Sequence, residues 1–319
     1  MFFENDFHEK GFRLLFNLHC SIIWEIIKRQ GIRSMVSNVI SKIVSMQHNF
    51  TMSENEISQY VINNPDLVVS STITTIAKET GTSEASINRF CKKIGYKGFN
   101  GFKIALAQEN FYNNVMKQNT YSGDNGFISS VTADYRQMLM NTSAMLEETT
   151  VTEAVAGIRA AKNIHIFSLS NIALIARELQ FKFDQVGIRS KASTDIIDMR
   201  IEASNIAAGD LSIFIAPTIM MRDIYQVANA SLERGAKNLT ITSYDSPKLS
   251  DISDFKFIIS DKIVANNSVS LSNNLMFLYV IDIIYTALLG SDKTLRQKKL
   301  NSDAILNNFQ MMDSFGYDY

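Results

Sequence analysis

Apolar and polar positions follow two different rhythms along this chain. Through about residue 109, apolar side chains recur at helical spacing in short bursts separated by capping and turn residues. Val36 to Met46 predicts one helix. Ser53 is placed as the N-cap of the next, with Glu56 completing a capping box and Ile57, Tyr60 and Val61 forming its apolar stripe. Pro65 to Val69, Thr72 to Glu79 and Ser83 to Ile94 predict three more. Beyond Val131 the rhythm changes, and helical stretches alternate with short apolar runs. A helix over Val131 to Leu146 precedes a strand at Asn163 to Phe167, and a helix follows over Ile172 to Gln185. Arg189 to Ala192 reads as a weak strand and Leu211 to Ala216 as a strong one. The helix Asp223 to Glu233 leads to strands at Asn238 to Thr242 and Phe255 to Ser260, then to an apolar helix at Asn274 to Leu289. Strands separated by helices imply right-handed crossovers and a parallel sheet covered by helices.

Between the two rhythms, Asn113, Asn114, Asn119, Ser122, Gly123, Asn125 and Gly126 make residues 111–127 a polar, turn-rich linker. The division expected is an extension over 1–34, an all-α domain over 35–110, the linker, an α/β domain over 128–290 and a charged tail over 291–319. A chain of 319 residues is long for one core and natural for two domains. The extension reads as a loosely structured segment or an amphipathic helix that packs on a partner, and Met35 is an alternative start to Met1.

The formal net charge of -1 means that any nucleic-acid surface must be a local patch. Two cysteines, Cys20 and Cys91, make no disulfide framework and fit a reducing, cytoplasmic setting. His8, His19, His48 and His165 are scattered without metal-ligand spacing, so no metal or cofactor is expected. The most apolar early run, Leu14 to Trp24, holds Asn17, His19 and Cys20 and is too short and polar to span a bilayer.

A local patch is present. From Thr72 to Ile104 the cations are Lys78, Arg89, Lys92, Lys93, Lys97 and Lys103, against Glu79 and Glu84. Ala77 is small enough for two helices to approach closely, Gly81 suits a left-handed helix end, and Ile87 and Phe90 face back toward the first helix. Thr82 or Ser83 caps the second. That spacing suits a helix-turn-helix. Cys91 falls on the apolar face and reads as a small buried hydrophobe. Ser83, Glu84, Ser86, Asn88, Arg89, Lys92, Lys93 and Lys97 lie off that face. Asn and Arg suit base edges, and lysines suit phosphates. A solvated charged face is the bland alternative, and charge alone would not exclude it.

The stretch Ile73 to Phe99, above all Ser83-Glu-Ala-Ser86 and Arg89-Phe-Cys-Lys-Lys-Ile-Gly-Tyr-Lys-Gly-Phe99, resembles the N-terminal domain of RpiR-family regulators. The resemblance implies a C-terminal SIS (sugar isomerase) domain, with a five-stranded parallel sheet flanked by helices, and covers about Met35 to Leu289. In that family the first strand ends in Phe-Gly-x-Gly-x-Ser, and glycines let backbone amides reach a phosphate. Here the run is Phe167-Ser168-Leu169-Ser170-Asn171-Ile172. The second motif, Ser-Gly-x-Thr, reads Thr218-Ile219-Met220-Met221, and a Ser-Arg pair is replaced by Asn273-Asn274. Two outcomes follow. Ser168, Ser170, Asn171 and Thr218 supply neutral donors beside a Met220–Met221 wall for a carbohydrate-related effector, or the domain only makes a homodimer. An isomerase is the alternative from another class, but no acid/base pair stands out: His165 reads as packed or surface-paired, and Asp198 and Glu202 show no partner. The expectation is a non-enzymatic DNA-binding regulator whose dimer sets two recognition helices on successive half-sites, with an operator DNA as partner and no membrane.

Overall fold

The computed structural model describes residues 39–120, 126–219 and 221–314. The extension, Met1, Met35, Cys20, Met220 and residues 121–125 of the expected linker lie outside the described residues. The described part of the front half is helical: α1 (Val39–Met46), a 3-10 turn (Gln47–Asn49), α2 (Met52–Asn63), α3 (Pro65–Ser70), α4 (Ile73–Glu79), α5 (Glu84–Lys93) and α6 (Phe99–Thr120). The capping box sits two residues earlier than expected. Thr51 has extended backbone, its hydroxyl accepts from the Glu54 amide, and the Glu54 carboxylate accepts from the Thr51 amide at 2.8 Å. Thr51-x-x-Glu54 satisfies the same chemical rule as Ser53-x-x-Glu56 and starts the helix first.

Burial of the helical stripes makes one core around Phe90, which meets Phe50 (5.3 Å between centroids) and Phe102 (6.4 Å) edge-on. Cys91 is in that core, and burial pushes its thiol up to about 12, so it is a packing residue rather than a nucleophile. Glu109 on α6 is buried as well. Its carboxylate accepts the Val39 N–H at 2.7 Å, satisfying an orphan donor at the first described turn of α1. Burial pushes its pKa up to about 8, against the pull of the Val39 and Ile40 amides.

Helix α6 runs on to Thr120, so residues 113–120 are helical rather than linker. Their asparagines are weak helix formers, but no proline or glycine interrupts the run from Lys103 to Tyr121. The back half follows: α7 (Phe127–Met145), α8 (Glu148–Ala160), β1 (Ile164–Phe167), α9 (Ala173–Gln185), β2 (Ser190–Ser193), α10 (Ile196–Asn205), β3 (Leu211–Ile215), α11 (Arg222–Glu233), β4 (Lys237–Thr242), α12 (Pro247–Asp251), β5 (Phe255–Ile258), α13 (Asn274–Ser291) and α14 (Lys293–Ser314). The charged tail is therefore helical in its described part. The five strands are parallel in the order β2-β1-β3-β4-β5.

Alternation along the strands builds two unlike faces. Ile164, Ile166, Ile213, Ile215, Leu239, Ile241 and Phe257 share a core with α8, α9 and α13. The other face carries buried polar groups, several of them hydrogen-bonded to neighbouring elements. Ser231 donates to Ser212 (2.8 Å), Asn238 donates to the carbonyls of Ala228 and Ile252, and Thr242 donates to the Pro217 carbonyl (2.8 Å). Helix α13 is long and apolar enough to cross a membrane by composition. In this fold Phe277, Val280, Ile281, Ile284 and Leu288 pack it against the sheet instead.

Candidate DNA interface and strand-end loops

The α4–α5 unit is fixed by paired end motifs. At the end of α4, Gly81 has φ +61°, its amide donates to the Lys78 carbonyl, and the Thr82 amide donates to the Ala77 carbonyl at 2.9 Å. The end of α5 repeats this arrangement, with Gly95 at φ +95° and the Tyr96 amide on the Cys91 carbonyl. Ser83 caps α5 by accepting from the Ser86 amide at 3.1 Å. Glu84 then accepts from the Thr74 hydroxyl at 2.5 Å, tying the start of α5 to α4. Ile87, Phe90 and Cys91 bury one face of α5 and leave Glu84, Ala85, Arg89, Lys92 and Lys93 exposed on the other.

Within that face the expected residues divide. Arg89 is exposed and reaches only as far as the Ser86 hydroxyl, at 3.2 Å. Lys92 and Lys97 are exposed, with no ion pair among the described residues. Two residues are corrected. Asn88 is half-buried, and its side-chain oxygen accepts from the Phe99 amide at 3.1 Å, capping α6 rather than facing outward. Lys93 donates to Glu54 and to the Asn49 carbonyl, both at 2.7 Å, and lies over the Phe50 ring. Burial raises the Glu54 carboxyl, but Lys93 and Thr51 outweigh it and hold the group below the usual carboxylate range. Periodicity puts Asn88 and Lys93 off the apolar stripe correctly, but does not reveal neighbours from other helices.

The second candidate region is the carboxyl edge of the sheet, where the strand order reverses between β1 and β3. Ligands of open α/β folds bind at such edges. Ser168 is corrected as an outward donor: it is fully buried, and its hydroxyl donates to the Ile215 carbonyl at 2.8 Å. Ser170 is exposed with φ +62°, the left-handed conformation a glycine adopts freely and a serine at a cost. The loop thus keeps a glycine-type backbone turn without the glycine. Asn171 is exposed, and its carbonyl accepts from Asn274 at 3.2 Å. Thr218 is half-buried after β3, Ile219 belongs to the core, and Met221 is exposed. Among the described residues, the buried Ser243 hydroxyl past β4 and the Asn274 side-chain oxygen have no hydrogen-bond partner.

A third cluster lies at the opposite, amino edge. The His165 ring holds Glu202 at Nδ1 (2.7 Å) and Asp210 at Nε2 (3.2 Å), while Lys191 bridges Glu202 (2.6 Å) and Asp198 (2.9 Å). Asp198 and Glu202 therefore do have partners, supplied by β1 and β2, which sequence spacing could not show. With both nitrogens engaged by carboxylates and the ring buried, His165 braces α10 against the sheet. Among the described residues no group of three or more His, Cys, Asp and Glu is placed to hold a metal ion.

Residues 37–111 match the family described as helix-turn-helix domain, rpiR family. The chain is 27% identical over 214 residues to the HTH-type transcriptional regulator HexR of Escherichia coli, covering 66% of this chain and 74% of that protein. It is 26% identical over 259 residues to an HTH-type transcriptional regulator of Caldanaerobacter subterraneus, covering 78% and 90%. Its fold is similar to that of Vibrio vulnificus NanR complexed with ManNAc-6P, with a TM-score of 0.52, 20% identity, and coverage of 85% of this chain and 98% of the other.

Proposed function

We propose that this chain is a DNA-binding transcriptional regulator of the RpiR type, with the matched rpiR-family helix-turn-helix domain joined to an SIS-like domain, and that α5 reads an operator in the cytoplasm under carbohydrate control. The observation that carries the reading is the outward face of α5. Arg89 and Lys92, with Lys97 beyond the turn, stand free of ion pairs among the described residues, on a helix tied to its neighbours by Asn88 and Lys93. Arg89 and Ser86 take base edges, and Lys92 and Lys97 take phosphates, with Ser83 and Glu84 at the helix start nearest the groove. A homodimer sets two such helices about one DNA turn apart. Leu174 and Phe181, one exposed stripe of α9, and Leu275 of α13 supply apolar surface for the contact. The test is selection by the full chain from a random duplex pool. A motif with two half-sites spaced about 10 base pairs is expected; a pool that never converges would remove the reading.

The strand-end loops then take a carbohydrate-derived effector through Ser170, Asn171 and Thr218, with Ser243 and Asn274 offering unused polar atoms. NanR of Vibrio vulnificus is described as complexed with ManNAc-6P, which supports this class. No glycine lines the β1 loop here, so neutral hydrogen bonding weighs more than phosphate cradling. The full chain should show a saturable rise in thermal midpoint with one member of a panel of neutral sugars, amino sugars and their phosphates, about 2–3 kcal/mol of stabilisation at a hundredfold excess over Kd. A folded chain that ignores the whole panel would leave the domain a dimerisation module.

A further inference from the structure

Helix α1 and the 3-10 turn after it belong to both halves of the chain. On one side Val39 and Ile43 sit in the front core, and the Lys42 ammonium lies 5.5 Å from the centre of the Tyr96 ring, just past α5. The other side meets the loops at the carboxyl edge of the sheet. The Ser41 and Ser260 hydroxyls are 3.2 Å apart and buried, the Ser45 carbonyl accepts from the Asp245 amide at 2.7 Å, and His48 meets Tyr244 edge-on at 4.4 Å. Asn49 makes the tightest link. Its side-chain amide donates to the Asp245 carbonyl at 2.6 Å, and its own carbonyl accepts from Lys93 of α5 at 2.7 Å.

The docking surface is informative because of where it falls. Asp245 and Ser260 follow β4 and β5 directly, and Ser243, with its buried unpartnered hydroxyl, is two residues from Asp245. These are loops of the edge assigned above to the effector. Two successive hydrogen bonds, Asn49 to the Asp245 carbonyl and Lys93 to the Asn49 carbonyl, therefore join that edge to the recognition helix.

We propose that the segment Ser41–Asn49 is a latch through which the loop after β4 sets the position of α5, with Asn49 as its positioning residue. The inference rests on the reading of α5 as the DNA helix and of the strand ends as the effector edge, and gives that site its regulation. A change at residues 243–245 moves the Asn49 side chain, which moves the carbonyl that anchors Lys93. Coupling of this kind is reciprocal, so DNA held by α5 must also be felt at the loop.

Amide hydrogen exchange on the full chain tests this, comparing wild type with N49A. Without DNA, N49A should exchange the Asp245 amide about tenfold faster, with the amides of Phe90 and Ile213 unchanged. Equal exchange at Asp245 would overturn the latch. With a duplex enriched from the random pool, wild type should change its exchange at 243–245, and N49A should lose that response while α5 stays protected. A response absent in wild type, or undiminished in N49A, would overturn the coupling. If N49A does not fold, K93Q cuts the same path from the α5 side, and its 243–245 loop should likewise stop responding to DNA. A chain that enriches no duplex would sink the DNA reading, whereas the DNA-free comparison judges the latch separately.

Discussion

Arg89→Ala should weaken binding of the full chain to its selected duplex by roughly 5- to 150-fold, about 1–3 kcal/mol. The side chain is exposed, and its intramolecular hydrogen bond is a 3.2 Å contact to the Ser86 hydroxyl. Its removal leaves Ile87, Phe90 and Cys91 in place, so the fold and its thermal midpoint should be unchanged. The loss should be concentrated at one base position of each half-site, because a guanidinium reads guanine with two paired donors. Titrating duplexes changed one position at a time would show this as relaxed preference at that position. Lys92→Ala should instead weaken all duplexes alike and flatten the salt dependence by about one counterion. An Arg89→Ala protein with wild-type affinity and preference would remove Arg89 from the interface. Asn88→Ala separates contact from scaffold, since it acts by uncapping α6, at a cost to stability of about 1 kcal/mol.

The largest stability effect is expected at the amino edge of the sheet. Asp210 is buried and accepts from the Asn163 backbone and side chain, from the Ala207 amide and from the His165 ring. Asp210→Ala should cost about 3–5 kcal/mol in chemical denaturation, because it leaves the buried His165 ring without its partner and takes the acceptor from two part-buried backbone amides. The pH dependence follows from the same contacts. Burial pushes the Asp210 carboxyl up, but the Ala207 amide, His165 and Asn163 outweigh it and hold its folded pKa below the model-peptide value. A carboxyl lowered on folding contributes stability that is present above its unfolded pKa, near 4, and is lost as pH falls through the folded value. Wild type should therefore lose stability on acidification below about pH 4 more steeply than Asp210→Ala. Parallel acid limbs for the two proteins would show that Asp210 is not held ionised by these partners.

Much of the fold is legible in the sequence because its causes are local. The 3.6-residue stripes of α2 and α5, the glycines at 81 and 95 and the alternating strands each act within a few residues of themselves. The helical continuation of α6 through 113–120 is not legible in this way, since asparagine-rich composition mimics a linker. The site divides along the same line. Exposure of Arg89 and Lys92 follows from helix phase alone, and that of Lys97 from its place in the turn after α5. The internal duties of Asn88, Lys93 and Ser168 depend on Phe99, Glu54 and Ile215, and only the assembled fold brings these into reach. The same holds for His165, whose carboxylates come from 37 and 45 residues along the chain. Ser170 is the reverse case. The altered motif flagged the position, but that a serine would keep the left-handed turn could not be read from its identity.

If α5 of this chain reads a DNA sequence, its affinity must depend on that sequence and not on charge alone. The most direct test is the ratio of the full chain's affinity for its enriched duplex to that for a scrambled duplex of equal composition, at one fixed salt concentration. A ratio of roughly a thousand or more is expected, falling when Arg89 is replaced. A ratio near one, in a folded chain, would mean that the positive face of α5 is a solvated helix surface and not a reading head.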